Sequence, residues 1–145
     1  MRYSLANYIL SVESNDSFIK QLFGTISIGG EGSYLNRISL SLNKEQFSTK
    51  GFATGGWVHD KSLDRTGVAT VELNQLSDKV SKFIQLCKCF YSGDYDGFTL
   101  TLSDINGNKV ATCVDCYISK PADQDFAESS GSQVWQFTCG QINYN

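Results

Sequence analysis

The sequence contains few of the residues from which metal and membrane-spanning sites are usually built. It has one histidine and one proline among 145 residues, and a single histidine excludes zinc sites with several imidazole ligands. No apolar run approaches the roughly 20 residues that a membrane-spanning helix needs. The first ten residues lack both a long apolar stretch and a small-residue cleavage site. We therefore expect no membrane insertion and no secretory signal.

Basic residues are also scarce, and they are scattered. The chain has 12 lysines and arginines against 15 acidic residues, which gives a formal net charge of −3. A protein that grips nucleic acid needs clustered lysine and arginine, because neutralising phosphates supplies most of that affinity. The composition therefore predicts no specific binding of DNA.

The five cysteines do not suggest a disulfide framework, because their number is odd and a secretory signal is missing. Four of them, Cys87, Cys89, Cys113 and Cys116, could supply the thiolate set that zinc prefers. However, Cys113 and Cys116 lie in a predicted strand, where residues three apart point to opposite faces. We predict buried free thiols that pack as small apolar side chains, with no metal and no cofactor.

Catalytic motifs are missing as well. The sequence has no G-x-S-x-G elbow, no P-loop and no G-x-G-x-x-G. His59 lies beside Asp60 in a glycine-rich segment, where a solvated loop histidine is expected. We predict that the protein is not an enzyme. An enzyme would instead have a cleft with a shifted pKa near His59 or a cysteine.

The dominant pattern is an alternation of apolar and polar residues, which is typical of strands with one buried face. In the segment 38–43, three apolar residues alternate with Ser39, Ser41 and Asn43. Polar faces of this kind predict antiparallel sheets with one side in water. Asn106-Gly107 predicts a hairpin with a type I′ turn, in which both residues have positive φ. The other predicted strands are 68–73, 98–103, 134–140, Tyr8–Glu13, Thr25–Ile28 and Val110–Ile118.

One amphipathic helix is predicted at about residues 78–91. Apolar residues recur there at steps of three and four, and Ser77 is a suitable N-cap. The chain is long enough for one domain with a real core. The predicted fold is therefore mainly β, an antiparallel β-sandwich or barrel with one flanking helix, in a single domain of residues 1–145.

A long extended arm at about residues 44–66 separates two of the best strands. It contains Phe47, Phe52 and Trp57 among several glycines. Connections of this length are usually functional or disordered, and disordered segments are poor in aromatic residues. Two interpretations remain open: the arm docks on another subunit through its aromatic side chains, or it is a long hairpin folded back on its own domain.

The order of these features resembles the tail tube proteins of contractile-tailed bacteriophages, the structural-protein-3-like family. The most specific part is the segment 67–73, GVATVEL, which is followed by a polar cap and an amphipathic helix. Lys120-Pro121, a polar loop and the closing strand VWQFTCGQI follow further along the chain. The resemblance implies a non-catalytic subunit, made in the host bacterial cytoplasm and assembled into the virion tail.

The resemblance also implies how such subunits assemble. They form hexameric rings whose sheets join edge to edge, and the rings stack into a hollow tube through which phage DNA is delivered. The arm would reach an adjacent ring through Phe47, Phe52 and Trp57. The implied partners are further copies of the chain, sheath, tape-measure, and baseplate or tail-terminator proteins.

A channel that conducts DNA needs a wet wall that is neutral or acidic. The non-core faces of the two strands beside the arm meet this requirement, with Arg37 as the exception. Ordinary solvent-facing strand positions would look the same. The candidates for lining the lumen are Ser39, Ser41, Asn43, Thr70 and Glu72.

Two alternatives to a phage tail remain at this point. The chain could form the tube of a genome-free contractile injection system, which the sequence does not distinguish from a phage. It could also be a monomeric ligand-binding β-barrel. That protein would have an apolar cavity and no intersubunit role for the aromatic residues of the arm.

Overall fold

The computed structural model describes residues 2–145 and consists of a curled antiparallel sheet, a separate β-hairpin and two helices. A short 3₁₀ turn, Leu5–Asn7, precedes the first strand. The helices and strands follow in the order β1 Tyr8–Ser14, α1 Ser17–Phe23, β2 Ile26–Gly29, β3 Leu35–Leu42, β4 Phe47–Gly51, β5 Trp57–Lys61, β6 Gly67–Asn74, α2 Asp78–Ser92, β7 Phe98–Asp104, β8 Lys109–Ile118 and β9 Ser132–Tyr144.

Seven strands form one sheet in the order β2-β1-β7-β8-β9-β6-β3. Every neighbouring pair is antiparallel, and the sheet curls into a half-barrel. The strands β4 and β5 form a two-stranded sheet of their own. The predicted fold class is therefore confirmed, and all seven predicted strands are found with somewhat different ends.

Alternation along the strands creates the core. In β6, the buried positions are Gly67, Ala69, Val71 and Leu73, and the residues between them are only partly buried. The long strand β9 alternates in the same way from Ser132 to Gly140. Burying the apolar side chains of one sheet face supplies the main driving force for this arrangement.

The predicted helix α2 covers this core face. The Ser77 side chain accepts a hydrogen bond from the Lys79 backbone N–H, which caps the helix as expected. The ring of Phe83 is fully buried, and its centroid lies 5.3 Å from that of Trp135 and 5.8 Å from that of Phe137. Aromatic side chains from the helix and from β9 therefore fill the space inside the half-barrel.

The short helix α1 was not predicted from the sequence. The Asp16 side chain caps it by accepting a hydrogen bond from the Phe18 backbone N–H at 2.9 Å. Gly24 ends the helix with a φ of 62°, in the left-handed region that glycine favours. Ile19 is the one residue of α1 that is fully buried. Two helical turns are too short for a clear periodic pattern.

The expectation that Cys113 and Cys116 point to opposite faces is wrong, because both side chains are buried in the core. Cys113 lies opposite Ile142 on β9, and Cys116 lies opposite Cys139. Asp115, between them, has a φ of 55°. An irregularity of this kind adds a residue to one strand and reverses the alternation beyond it.

The turn between β7 and β8 also differs from the prediction. The hairpin itself is confirmed, but only Gly107 has a positive φ, 87°, whereas Asn106 does not. The connection is therefore longer than a two-residue type I′ turn. The carboxylate of Asp104 holds it by accepting hydrogen bonds from the backbone N–H groups of Asn106 and Asn108, at 2.9 and 3.0 Å.

Within residues 2–145, neither helix has the length and apolar character that crossing a membrane requires.

Candidate assembly surfaces

The arm of residues 44–66 is a β-hairpin that stands away from the main sheet. Its strands pair from Phe47 with Lys61 to Gly51 with Trp57. All the residues of both strands are exposed. The segment is therefore a hairpin, as the second interpretation predicted. However, it is not folded back on its own sheet, which that interpretation also required.

One face of this hairpin carries aromatic side chains. Phe47 and Trp57 lie on the same face, since residues two apart on a strand share a side and Gly51 pairs with Trp57. Trp57 is 69% exposed and Phe47 is 52% exposed. At the tip, the Lys50 ammonium lies 5.7 Å from the centroid of the Phe52 ring. Apolar surface exposed on this scale is typical of a protein–protein contact.

A network of polar side chains fixes the base of the hairpin. The Asp64 carboxylate accepts hydrogen bonds from the backbone N–H and the hydroxyl of Thr66, at 2.9 and 2.7 Å. These bonds hold the pKa of Asp64 below its ordinary value of 3.8. Lys44 Nζ lies 3.7 Å from the same carboxylate, and Asn43 binds Thr66 through both backbone and side chain. The direction in which the hairpin leaves the sheet is therefore well defined.

The predicted lumen candidates lie close together in the structure. Ser39 is directly opposite Thr70 on the paired strand. Ser41 and Glu72 share their face, the one opposite to the buried side chains of β6. Asn43 lies at the base of the hairpin instead, where its side-chain amide donates to the Thr66 hydroxyl at 3.2 Å.

Sequence reasoning missed how far this polar face extends. Gln136 on β9 lies opposite Thr70, and Thr138 lies opposite Val68. Both residues are exposed on β9, and only the strand order brings them beside β6. Arg37 also lies on this face, and its Nε is 3.4 Å from Glu72 Oε2. Its charge is therefore compensated by a neighbouring strand.

The sheet ends in two edge strands, β2 and β3. Each has a sheet neighbour on one side only, so its other edge presents backbone donors and acceptors that can pair with another chain. β3 is eight residues long, which gives it the longer of the two edges. It also leads directly into the hairpin.

The cysteines belong to the core rather than to a surface site. Cys87, Cys113, Cys116 and Cys139 are buried, as predicted, whereas Cys89 is partly exposed. Burial raises the pKa of the Cys87 thiol. Hydrogen bonds with the neighbouring thiols of Cys113 and Cys139, and then burial, raise the pKa of Cys116. In the described part of the chain, no three histidine, cysteine or acidic side chains are arranged to hold a metal ion.

His59 lies on the exposed hairpin rather than in a cleft. Its Nδ1 is 2.8 Å from the hydroxyl of Thr49 on the paired strand. Its neighbour is therefore a hydroxyl rather than the carboxylate that orients a catalytic histidine.

Three solved structures share this fold over the whole chain. A chain of the sheath/tube terminator of the PVC extracellular contractile injection system, in the extended state, has a TM-score of 0.57 at 10% identity, with 97% of that chain covered. A chain of the PVC sheath-tube complex has a TM-score of 0.58 at 11% identity, with 92% covered. A chain of the tube-terminating cap of the anti-feeding prophage has a TM-score of 0.51 at 7% identity, with 93% covered.

No curated protein matches the sequence significantly. A family model does match, and its match covers residues 17–145. That range contains both edge strands, the hairpin, both helices and the closing strand β9. The chain therefore belongs to the bacteriophage PhiTE tail tube protein family.

Proposed function

We propose that this tail tube protein polymerises into stacked hexameric rings that form the hollow inner tube through which phage DNA is delivered. The observation that carries the proposal is the projecting hairpin with exposed Phe47, Phe52 and Trp57. A monomer would gain nothing from holding these side chains in water. Family membership supports the same function.

Ring formation would use the two free sheet edges. Edge β3 of one copy and edge β2 of the next offer complementary backbone groups, and pairing them would continue the sheet from subunit to subunit. Such a contact is head-to-tail, so rotational symmetry can close it into a ring. Covered edges also remove a hazard of aggregation.

The hairpin would connect one ring to the next. It leaves the sheet where Leu42 and Gly67 pair, and its base is held by the Asp64 network. Burying the aromatic face against a neighbouring ring would remove apolar surface from water. Phe47, Phe52 and Trp57 are the residues we assign to this contact.

The polar face of β3 and β6 would line the bore. Ser39, Ser41 and Thr70 offer hydroxyl groups on this face, and Glu72 neutralises Arg37. Asn43 would extend the polar wall beside this face, at the base of the hairpin. A wall without unpaired positive charge would hold DNA weakly, because phosphate contacts supply most non-specific affinity. DNA would then pass without specific binding.

The proposed partners follow from this role. The matched structures come from sheath-tube, terminator and cap assemblies, which supports contacts with sheath and terminator proteins. Tape-measure and baseplate proteins complete the proposal. The whole chain, residues 1–145, would act as one non-catalytic tube domain, made in the host bacterial cytoplasm and located in the virion tail.

One observation favours a second candidate, the tube of a genome-free injection particle. Two of the matched structures belong to an extracellular contractile injection system. The family match favours the phage tail. Recovery of the chain from purified particles, followed by assay of those particles for packaged DNA, distinguishes the two candidates.

The ligand-binding barrel is disfavoured by the packing of the half-barrel. Phe83, Trp135 and Phe137 are fully buried where a ligand cavity would lie, and the Phe83 ring packs against both of the others. The interior is therefore occupied by the chain's own aromatic side chains.

Electron microscopy of the concentrated purified protein tests the proposal directly. We expect hollow tubes built of six-fold rings. Protein that sediments only as a monomer at high concentration would contradict the proposal. A gold cluster attached to a Ser39→Cys variant then tests the lumen assignment, because its density should lie in the bore rather than on the outer wall.

A further inference from the structure

Three of the five cysteines lie together in the core, and the proposed assembly contacts do not use them. Cys113 and Cys116 belong to β8, and Cys139 belongs to β9. All three are free thiols, and each is between 0% and 4% exposed. Thiols are nucleophiles as well as small apolar groups, so this cluster can have a chemistry in addition to its part in packing.

The pairing of β8 with β9 places two of these cysteines directly opposite each other. Cys116 pairs with Cys139, and both side chains are buried on the core face. Directly opposite residues of antiparallel strands have Cα atoms about 4.5–5.5 Å apart. A disulfide needs a Cα separation of about 4.4–6.8 Å. The sheet therefore already holds Cys116 and Cys139 at bridging distance.

Cys113 is near the same thiols but is not placed to form the bridge. It lies opposite Ile142, three positions along the strands from the pair of Cys116 and Cys139. Three residues of extended strand span roughly 10 Å, which exceeds the Cα separation that a disulfide tolerates. Cys113 can therefore donate a hydrogen bond to the sulfur of Cys139, but it cannot bond to that sulfur covalently.

Cys139 is the thiol best placed to react first. Hydrogen bonds from the thiols of Cys113 and then Cys116 to its sulfur hold the pKa of Cys139 below its ordinary value of 9.0. The thiolate, rather than the thiol, attacks an oxidant. Cys139 is also the most exposed of the three, at 4%, and it borders a surface cleft of about 440 Å³.

Burial limits the oxidant to a molecule about as small as water, and hydrogen peroxide meets this requirement. The Cys139 thiolate attacks one peroxide oxygen, the O–O bond breaks, and hydroxide leaves with the electron pair of that bond. Cys139 then carries a sulfenic acid. The sulfur of Cys116 attacks the sulfenic sulfur, the S–O bond breaks, and the Cys116 proton joins the departing hydroxide as water. In total, two thiols lose two protons and two electrons, and one peroxide becomes two waters.

We propose that Cys116 and Cys139 are the site of a reversible disulfide, formed by a small peroxide, that links β8 to β9 within one chain. The bond encloses the loop 119–131 in a covalent ring, which restricts the unfolded chain and so stabilises the fold. The timing of the reaction rests on the proposed function, because a virion subunit is made in the reducing cytoplasm and leaves it when the particle is released. The released tube would then resist unfolding better than the newly made subunit.

Peptide mapping of the folded wild-type protein tests the bridge itself. The protein is treated with hydrogen peroxide, the remaining thiols are blocked with iodoacetamide, and the chain is cut before its aspartates. Because Asp115 lies between the two β8 cysteines, the three thiols fall on different peptides, 104–114, 115–122 and 125–145. We expect peptides 115–122 and 125–145 to be linked, and dithiothreitol to separate them.

The same experiment can contradict the bridge in two ways. A link from peptide 125–145 to peptide 104–114 would show that Cys113 is the partner of Cys139. Unchanged thiols at both Cys116 and Cys139, in protein whose partly exposed Cys89 has been oxidised, would show that the pair does not react. Either result would overturn the proposal.

Matched substitutions test the assignment and the effect on stability. Cys116→Ala should abolish the link, whereas Cys113→Ala should retain it. Peroxide should raise the melting temperature of the wild-type protein by about 5–10 °C, and dithiothreitol should reverse the rise. Each variant is compared with its own reduced form, so a general loss of packing does not affect the comparison. An equal rise in Cys116→Ala would contradict the bridge, and the wild-type mapping still decides if a variant does not fold.

Released particles test the timing separately. Thiols blocked during acid denaturation of unlysed host cells should include Cys116 and Cys139, whereas particles released by lysis should carry the link. Released particles with both thiols reduced would overturn the timing and leave the proposed tube intact. Wild-type protein that folds and forms the link but never forms tubes would overturn the proposed function and leave the disulfide site intact.

Discussion

The two tryptophans of this protein lie in opposite environments. Trp135 is fully buried between β9 and α2, where its ring contacts Phe83 at a centroid distance of 5.3 Å. Trp57 is 69% exposed on a hairpin whose strands pair only with each other. The first stabilises the fold of one chain, whereas the second has surface left to contact another. We therefore expect folding and assembly to depend on separate groups of residues, which can be disturbed separately.

Deletion of the hairpin should give the largest difference between the effect on folding and the effect on assembly. The Ser62 backbone N–H donates to the Gln46 carbonyl at 2.8 Å, so an Asn-Gly turn can join these residues in place of 47–61. Because those residues make no part of the core, we expect a melting temperature within about 4 °C of wild type. We also expect complete loss of tubes by electron microscopy.

Normal tubes from this variant would show that the hairpin has no role in assembly. A variant that does not fold would show instead that the hairpin supports the core. As a matched control, the connection between β7 and β8 can be shortened to the same Asn-Gly turn, which should leave tubes intact.

A pair of aromatic truncations should show the same contrast at single residues. Phe83→Ala removes a fully buried ring that contacts Trp135 and Phe137, so we expect a loss of about 3–5 kcal/mol in the free energy of unfolding. Trp57→Ala should change that free energy by less than about 0.5 kcal/mol and still weaken assembly. Urea unfolding and sedimentation measure the two effects. Equal destabilisation by both substitutions would remove the distinction between the regions.

The same contrast explains how much of the fold could be predicted from the sequence. Where one side of an element is buried, its sequence carries a periodic pattern. The alternation in β6 predicted a strand, and the apolar residues at steps of three and four in α2 predicted a helix. Both predictions are correct, because each element buries one face. The hairpin strands are exposed on both sides, so they had no alternation to detect and their segment was identified only as an arm.

The remaining differences arise from contacts distant in sequence. Asp115 and its positive φ reverse the alternation of β8, and nothing in VATCVDC indicates such an irregularity. The strand order brings Gln136 on β9 beside Thr70 on β6, so the polar face extends across three strands. Local patterns predict elements, whereas surfaces between elements require the assembled sheet.

A smaller effect is expected at the base of the hairpin, where the hairpin joins the main sheet. Hydrogen bonds from Thr66 lower the pKa of Asp64, so they stabilise the hairpin base at neutral pH and are lost as the pH falls through that lowered pKa, below 3.8. Asp64→Ala should speed hydrogen exchange of the Thr66 amide several-fold at pH 7, because that amide donates to the carboxylate. NMR exchange measures this change, and unchanged exchange would show that the base is held by other contacts.

The smallest effect on folding and assembly is expected from a residue outside both regions. The Arg37–Glu72 pair lies at 3.4 Å with side chains 59% and 28% exposed, and exposed ion pairs contribute about 0–1 kcal/mol. Glu72→Gln should therefore leave unfolding and tube formation nearly unchanged. The substitution leaves the positive charge of Arg37 uncompensated. If this face lines the bore, every subunit of every ring adds one such charge to the bore. We then expect the variant tubes to retain single-stranded DNA at low salt and release it at higher salt, whereas wild-type tubes and an Arg37→Gln, Glu72→Gln double variant do not. If all three proteins retain the DNA equally, this face lies away from the DNA path. That conclusion would not depend on the role of the hairpin.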